Sequence, residues 1–172
     1  MTDALASEIT ALAQQVIKKA TVEGLLLATA ESCTGGLIGG ALTEIAGSSA
    51  AFDRGFITYS NTAKNQMLDV PMAMIDAEGA VSGDVACAMA DGALAHSSAH
   101  IAIAVTGIAG PGGGSKAKPV GLVWFGLATK DGTTISEQRI FEDKGRGFIR
   151  QQTVITALGL LQSALITSSG AG

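Results

Sequence analysis

Ser32, Lys64 and two glycine-rich segments carry most of the chemistry this sequence offers. Ser32 stands in Glu31-Ser32-Cys33-Thr34-Gly35-Gly36, between an apolar run at residues 25–30 and a stretch of helical spacing at 37–46. A hydroxyl where a buried strand ends and a helix begins lies at the carboxyl edge of the sheet, the usual place for sites in open α/β folds. Amides from Cys33 onward are available at such a helix start to hold an oxyanion or a bound anion. Gly35 and Gly36 let the backbone approach a ligand closely. The plainer reading is that Ser32 or Thr34 only caps the helix. Cys33 is a rival nucleophile, because a thiol near a helix N-terminus can be acidified; against this, free cysteine is more often a small packed residue.

A serine nucleophile needs a base, and histidine is scarce. The two histidines, His96 and His100, are four residues apart but lack the glutamate that follows the first histidine of a helical zinc motif, so no metal site is expected. A lysine held neutral by desolvation can serve instead. Lys64 follows Thr58-Tyr59-Ser60-Asn61 at the end of a predicted strand, which brings it to the same sheet edge; Tyr59 could relay its proton or orient it. Most lysines are solvated, and Tyr59 is equally readable as a strand-end aromatic. The segment Thr106-Gly107-Ile108-Ala109-Gly110-Pro111-Gly112-Gly113-Gly114 again follows a buried strand, and its backbone donors can line a pocket. It has neither the Gly-Lys-Ser/Thr of a Walker loop nor the spacing of a dinucleotide fingerprint, and the bland alternative is a surface connection. Arg146 could pair with a phosphate in bidentate fashion, although a surface charge is the commoner fate of such a residue.

These residues need elements to position them. Residues 7–20 place apolar side chains at helical spacing, residues 25–30 read as a strand buried on both faces, and residues 37–46 as a helix with Gly47 as its stop. A strand is predicted over 52–59 and a short helix over 62–68, closed off before Pro71. Ser82 is a plausible cap for a helix over 85–95, and 101–105 is a second buried strand. Residues 120–129 and 133–141 flank Lys130-Asp131-Gly132, a hairpin signal, and 146–165 is a final helix. Early alternation of helix and strand, then a hairpin, implies one α/β domain over 1–172: a three-layer α/β/α sandwich on a mixed sheet. Residues 1–6 and 167–172 are expected to fray.

The 172 residues suit one domain, and 47% of them are apolar, which excludes a disordered chain. Lys+Arg number 11 against Asp+Glu 15; a net charge of −4 gives no broad nucleic-acid footprint, though a local anion pocket remains open. Two cysteines make no disulfide framework. No secretory signal or apolar run long enough for a membrane span is visible. A cytoplasmic protein without cofactor is expected. The small, apolar Gly36-Leu37-Ile38-Gly39-Gly40-Ala41 face would suit an interaction protein, but close packing on the sheet explains it more simply.

Four segments, in order and across nearly the whole chain, resemble the C-terminal domain family of CinA. They are Ala30-Glu31-Ser32-Cys33-Thr34-Gly35-Gly36; Gly55-Phe56-Ile57-Thr58-Tyr59-Ser60-Asn61 with Lys64 following; Ala104-Val105-Thr106-Gly107-Ile108-Ala109-Gly110-Pro111-Gly112-Gly113; and Lys118-Pro119-Val120-Gly121. The resemblance implies hydrolysis of the carboxamide of nicotinamide mononucleotide to nicotinic acid mononucleotide and ammonia, in a homo-oligomer. It places the nucleophile on Ser32, the lysine and tyrosine on Lys64 and Tyr59, a threonine on Thr106 and an arginine on Arg146. The amides of Cys33, Thr34 and Gly35 and the loop glycines Gly107, Gly110, Gly112 and Gly113 would complete the substrate site. Where the family usually reads Gly-Asp-Arg this chain reads Lys144-Gly145-Arg146, and Arg150 matches the family's following arginine. Some members carry a further N-terminal domain acting on pyrophosphates, for which 172 residues leave no room. A non-catalytic nucleotide- or phosphate-binding module is the competing functional class.

Overall fold

The computed structural model describes residues 3–168. Five strands form one mixed sheet in the order β2-β1-β3-β4-β5. β1 (Leu27–Glu31) is parallel to β2 (Phe52–Ile57) and to β3 (Ile101–Gly107); β4 (Leu122–Thr129) and β5 (Thr134–Ile140) are antiparallel additions. Helices α1 (Asp3–Glu23), α2 (Leu37–Thr43) and α6 (Arg146–Ser168) cover one face; α3 (Asn61–Leu68), α4 (Met72–Glu78) and α5 (Gly83–Ala95) cover the other. This is the expected three-layer α/β/α sandwich.

The two faces differ in side-chain size because the strands alternate it. On β1 and β3, Leu27, Ile101, Ile103 and Val105 turn toward α1 and α6, whereas Ala28, Ala30, Ala102 and Ala104 turn toward α5. The small face lets α5 approach closely. A Cβ on Gly126 would stand 2.1 Å from the Ala86 carbonyl oxygen of α5, so only glycine fits there. Tight seating of α5 in turn fixes α3, whose buried Lys64 and Leu68 lie one helical turn apart on the same side.

Several boundaries depart from expectation. Residues 3–6 and 167–168, expected to fray, are helical, while 1–2 and 169–172 lie outside the described residues. α2 ends at Thr43 rather than 46: it has only seven residues, two of them Gly39 and Gly40, which weaken a helix interior. Gly47 instead opens a short 3-10 turn, Ser48–Ala50. α4 is an addition to the expected elements; it starts behind Pro71 and buries a single side chain, Ile75, too little for a periodic signal. Ser82 caps α5 as expected, accepting from the Val85 amide. Asp131 ties the hairpin turn, accepting from the Thr129 hydroxyl at 2.6 Å and the Thr133 amide at 2.9 Å.

Candidate active site at the carboxyl edge of the sheet

β1 leaves the sheet at Glu31, and the next two ladder bonds lock the edge. The Ser32 amide donates to Val105 O at 3.1 Å, and the Thr58 amide donates to Glu31 O at 2.8 Å. Ser60 caps α3 through the Ala63 amide at 3.0 Å, which sets Lys64 on the inward side of the first turn. The Lys64 side chain is only 1% exposed. Its Nζ stands 3.0 Å from Ser32 Oγ and donates to Thr58 O at 2.9 Å. Among the described residues no carboxylate forms an ion pair with it. Burial of an unpaired amine disfavours its charge, and the Lys64 ammonium is held below its ordinary pKa for that reason. In the neutral form one N–H bonds Thr58 O and the lone pair is free to face the Ser32 hydroxyl.

Cys33 is buried in the same turn. Desolvation pushes its thiol up to about 11, so it is uncharged at neutral pH and unsuited to nucleophilic attack. The turn from 32 to 36 is held from two sides. Glu31, 1% exposed, accepts the amides of Gly36 and Ile38 at 3.0 Å each and of Gly39 at 2.8 Å. Arg150 reaches over from α6, with Nε donating to Cys33 O at 3.1 Å and Nη2 to Thr34 O at 2.8 Å. The amides available to a ligand are therefore fewer than the sequence suggests. Those of Gly36, Ile38 and Gly39 serve Glu31, and that of Gly35 donates to Ser32 O at 3.1 Å. The Thr34 amide donates to no backbone oxygen among the described residues, and the Cys33 amide lies against its own sulfur.

Two further residues take other partners than expected. The Thr106 hydroxyl donates to Ala80 O at 2.7 Å; its proton ties the segment before α5 to the sheet and is not directed at Ser32. Tyr59, 61% exposed, makes no hydrogen bond to Lys64. Its hydroxyl accepts from Arg146 Nη2 at 2.9 Å, and Arg146 Nη1 donates to Gly110 O at 3.0 Å, so Arg146 bridges the end of β2 to the glycine loop at the rim. It is Thr58, through its carbonyl, that orients the lysine. In the loop, Gly107 is pressed against β4, where a Cβ would meet Val123 Cγ2 at 2.7 Å, and Gly110 is buried; Gly112 and Gly113 are exposed. His96 pairs with Asp69 at 2.6 Å, and His100 Nδ1 accepts the Leu26 amide at 2.9 Å.

Sequence reasoning assigned no role to Glu31, although a carboxylate closing an otherwise apolar strand run was a visible signal. It also left Arg150 second to Arg146.

Comparison with known proteins finds relatives over nearly the whole chain. The family model described as the CinA C-terminal domain matches residues 9–165. A CinA-like protein of Parasynechococcus marenigrum (strain WH8102) is 47% identical over 167 residues, which are 97% of this chain but 38% of that protein; the chain thus spans well under half the length of such curated relatives. Nicotinamide-nucleotide amidohydrolase PncC of Escherichia coli (strain K12) is 47% identical over 161 residues, covering 94% of this chain and 95% of that one. Among solved structures, competence/damage inducible protein CihA from Agrobacterium tumefaciens superposes with a TM-score of 0.89 at 54% identity, over 92% of this chain and 95% of that one. A CinA superfamily protein from Escherichia coli superposes at 0.86 with 33% identity, over 94% and 92%. No helix among the described residues is long and apolar enough to cross a membrane.

Proposed function

Since the chain belongs to the CinA C-terminal domain family, we propose that it is a nicotinamide-nucleotide amidohydrolase that converts nicotinamide mononucleotide to nicotinic acid mononucleotide and ammonia by a serine–lysine mechanism. The observation that carries the reading is the buried pair of Lys64 Nζ and Ser32 Oγ, 3.0 Å apart, with no carboxylate paired to the amine among the described residues. A relative named for this activity matches the chain almost end to end.

Neutral Lys64 takes the Ser32 proton as Oγ attacks the carboxamide carbon. The oxygen of that carbonyl gains charge, which the Cys33 and Thr34 amides stabilise. Thr106 is left out of this role because its proton is committed to Ala80 O. Collapse of the intermediate breaks the C–N bond, and Lys64 returns the proton to the leaving nitrogen, which departs as ammonia. Water then attacks the acyl-enzyme, with Lys64 again accepting a proton, and nicotinic acid mononucleotide and free Ser32 are regenerated. The pyridinium ring withdraws electrons and makes this carboxamide more open to attack than an ordinary amide. Arg146 and the exposed backbone of Gly112 and Gly113 are assigned to the phosphate. The partner required is therefore a small anionic mononucleotide.

The test is Ser32→Ala in an ammonia-release assay with nicotinamide mononucleotide. We expect a folded protein whose kcat falls by at least about 1,000-fold. Turnover near that of the wild type would remove Ser32 from the nucleophile's place.

A further inference from the structure

The oxyanion donors sit on a turn with no helical hydrogen bonds of its own to fix the Cys33–Thr34 peptide, yet both carbonyls around that peptide point at one guanidinium. A trans peptide is planar, with its C=O and N–H antiparallel. When Arg150 Nε holds Cys33 O at 3.1 Å, the Thr34 N–H of the same peptide must point away from α6. Away from α6 is toward the layer from which α3 brings Lys64 to Ser32, because α6 and α3 lie on opposite faces of the sheet. Nη2, 2.8 Å from Thr34 O, shares that oxygen with the Leu37 amide at 3.4 Å, and the N–H of the same peptide, that of Gly35, closes the turn on Ser32 O. Gly35 faces the guanidinium, with Nη2 3.6 Å from where a Cβ would stand, and it is the left-handed φ of +59° rather than space that calls for glycine there. Glu31 meanwhile takes the amides at 36, 38 and 39. A cation gathers the turn's carbonyls on one side, an anion gathers its later amides, and the Thr34 donor remains for the reacting oxygen, with the Cys33 amide beside it against its own sulfur.

We infer that Arg150 is a positioning residue that creates the oxyanion hole by fixing the Cys33–Thr34 peptide with its N–H toward Ser32. The inference rests on the serine-nucleophile reading above, but not on the identity of the amide hydrolysed. Without the guanidinium the peptide can rotate and present its carbonyl oxygen, which repels a developing oxyanion.

The experiment compares wild type with Arg150→Ala and Arg150→Lys in two assays. In ammonia release from nicotinamide mononucleotide, R150A is expected to lose about 10- to 1,000-fold in kcat with KM within a few-fold of wild type, since an oxyanion donor acts on the transition state. R150K, which keeps the charge but lacks the planar fork that spans Cys33 O and Thr34 O, should fall between. Millimolar guanidinium should restore part of the R150A rate and none of the Ser32→Ala rate. In the second assay, an alkyl fluorophosphonate phosphonylates Ser32 with loss of fluoride, placing the P=O oxygen where the oxyanion forms; mass spectrometry follows the rate. R150A should be labelled more slowly by a similar factor and be rescued likewise. Slow, rescuable labelling of R150A alongside wild-type protein that releases no ammonia would support the inference while refuting the proposed substrate. Labelling of Ser32 at one rate in wild type and R150A, labelling in neither, or a loss confined to KM would overturn it. If R150A does not fold, R150K decides: an unchanged labelling rate there overturns the inference as well.

Discussion

The turn after β1 and the loop after β3 begin alike and end differently. Each follows a strand buried on both faces, each is rich in glycine, and both lie at the carboxyl edge of the sheet. The first is gripped from within. Glu31 accepts its last amide and two more at the start of α2, Arg150 takes two of its carbonyls, and the Ser32 hydroxyl is 3.0 Å from a buried amine. The second is held at its two ends, where Gly121 N donates to Ile108 O at 2.8 Å and Ser115 N to Lys118 O at 2.8 Å, with no buried charged side chain among the described residues collecting the backbone groups between. Gly107 is wedged against β4 and Gly110 O is held by Arg146, beyond which residues 111–117 are exposed. Glycine content therefore says little about rigidity; what matters is whether charged side chains collect the freed backbone groups. The gripped turn suits bond making, which needs preorganised donors, and the open loop suits admission and retention of a ligand.

The largest effect should come from removing the base. Lys64→Met keeps the volume and deletes the amine, and ammonia release should fall by about 100- to 10,000-fold. Its stability should move the other way. The folded-state pKa of Lys64 is depressed, so between that value and the ordinary lysine pKa the unfolded chain binds more protons; stability rises with pH across this window and is lowest below it. Lys64→Met should therefore melt higher at neutral pH, by about 2–4 °C for each kcal/mol recovered, and should lack the alkaline rise. In the wild type, log kcat/KM should climb with pH and level off once Lys64 is neutral, with an apparent pKa below that of an ordinary lysine. A melting temperature unchanged by Lys64→Met, or a flat pH–rate profile, would contradict a buried neutral base. Next in size is Glu31→Ala, which strands three amides at the start of α2. It should cost about 2–4 kcal/mol, read as a fall of roughly 5–15 °C in Tm. Glu31→Gln, keeping one acceptor oxygen, should cost less.

How much of this was legible in the chain depended on how local the cause was. The strands β1 and β3 were legible because both their faces are buried, which leaves an apolar run at 27–30 broken only by Thr29 and an unbroken one at 101–105. Ser32 and Lys64 were legible for a related reason: each stands just past the end of a strand that must terminate at the same sheet edge. The roles of Thr106, Tyr59 and Arg150 were not, because they are set by contacts across long stretches of chain. Thr106 finds Ala80 O, Tyr59 finds Arg146, and Arg150 meets Cys33 O from 117 residues away. The orientation of a single peptide plane leaves no trace in residue types. α4 is silent in the sequence because one buried isoleucine makes no period, and α2 reads too long because Ile45 and Ala46 continue an apolar pattern beyond the two glycines that weaken the helix.

The smallest effects distinguish the two glycine segments most directly. Gly35 has φ +59°, a left-handed conformation, and faces Arg150 Nη2. An alanine there meets ordinary van der Waals space but adopts a backbone conformation costing about 1 kcal/mol or more. Gly112 is outside the left-handed region, with nothing within 4 Å of the point where a Cβ would stand. Gly112→Ala should leave stability within about 0.5 kcal/mol of wild type, or raise it slightly by restricting the unfolded chain. In kinetics the order should separate further. Gly35→Ala displaces the turn that carries the proposed oxyanion donors and should lower kcat, while Gly112→Ala touches only the proposed phosphate side and should alter KM by a few-fold at most. Paired denaturant titrations and steady-state assays on the two variants decide it. Equal losses of stability and of kcat in both would mean that the loop after β3 is as tightly held as the turn after β1, and the division of labour between them would fall.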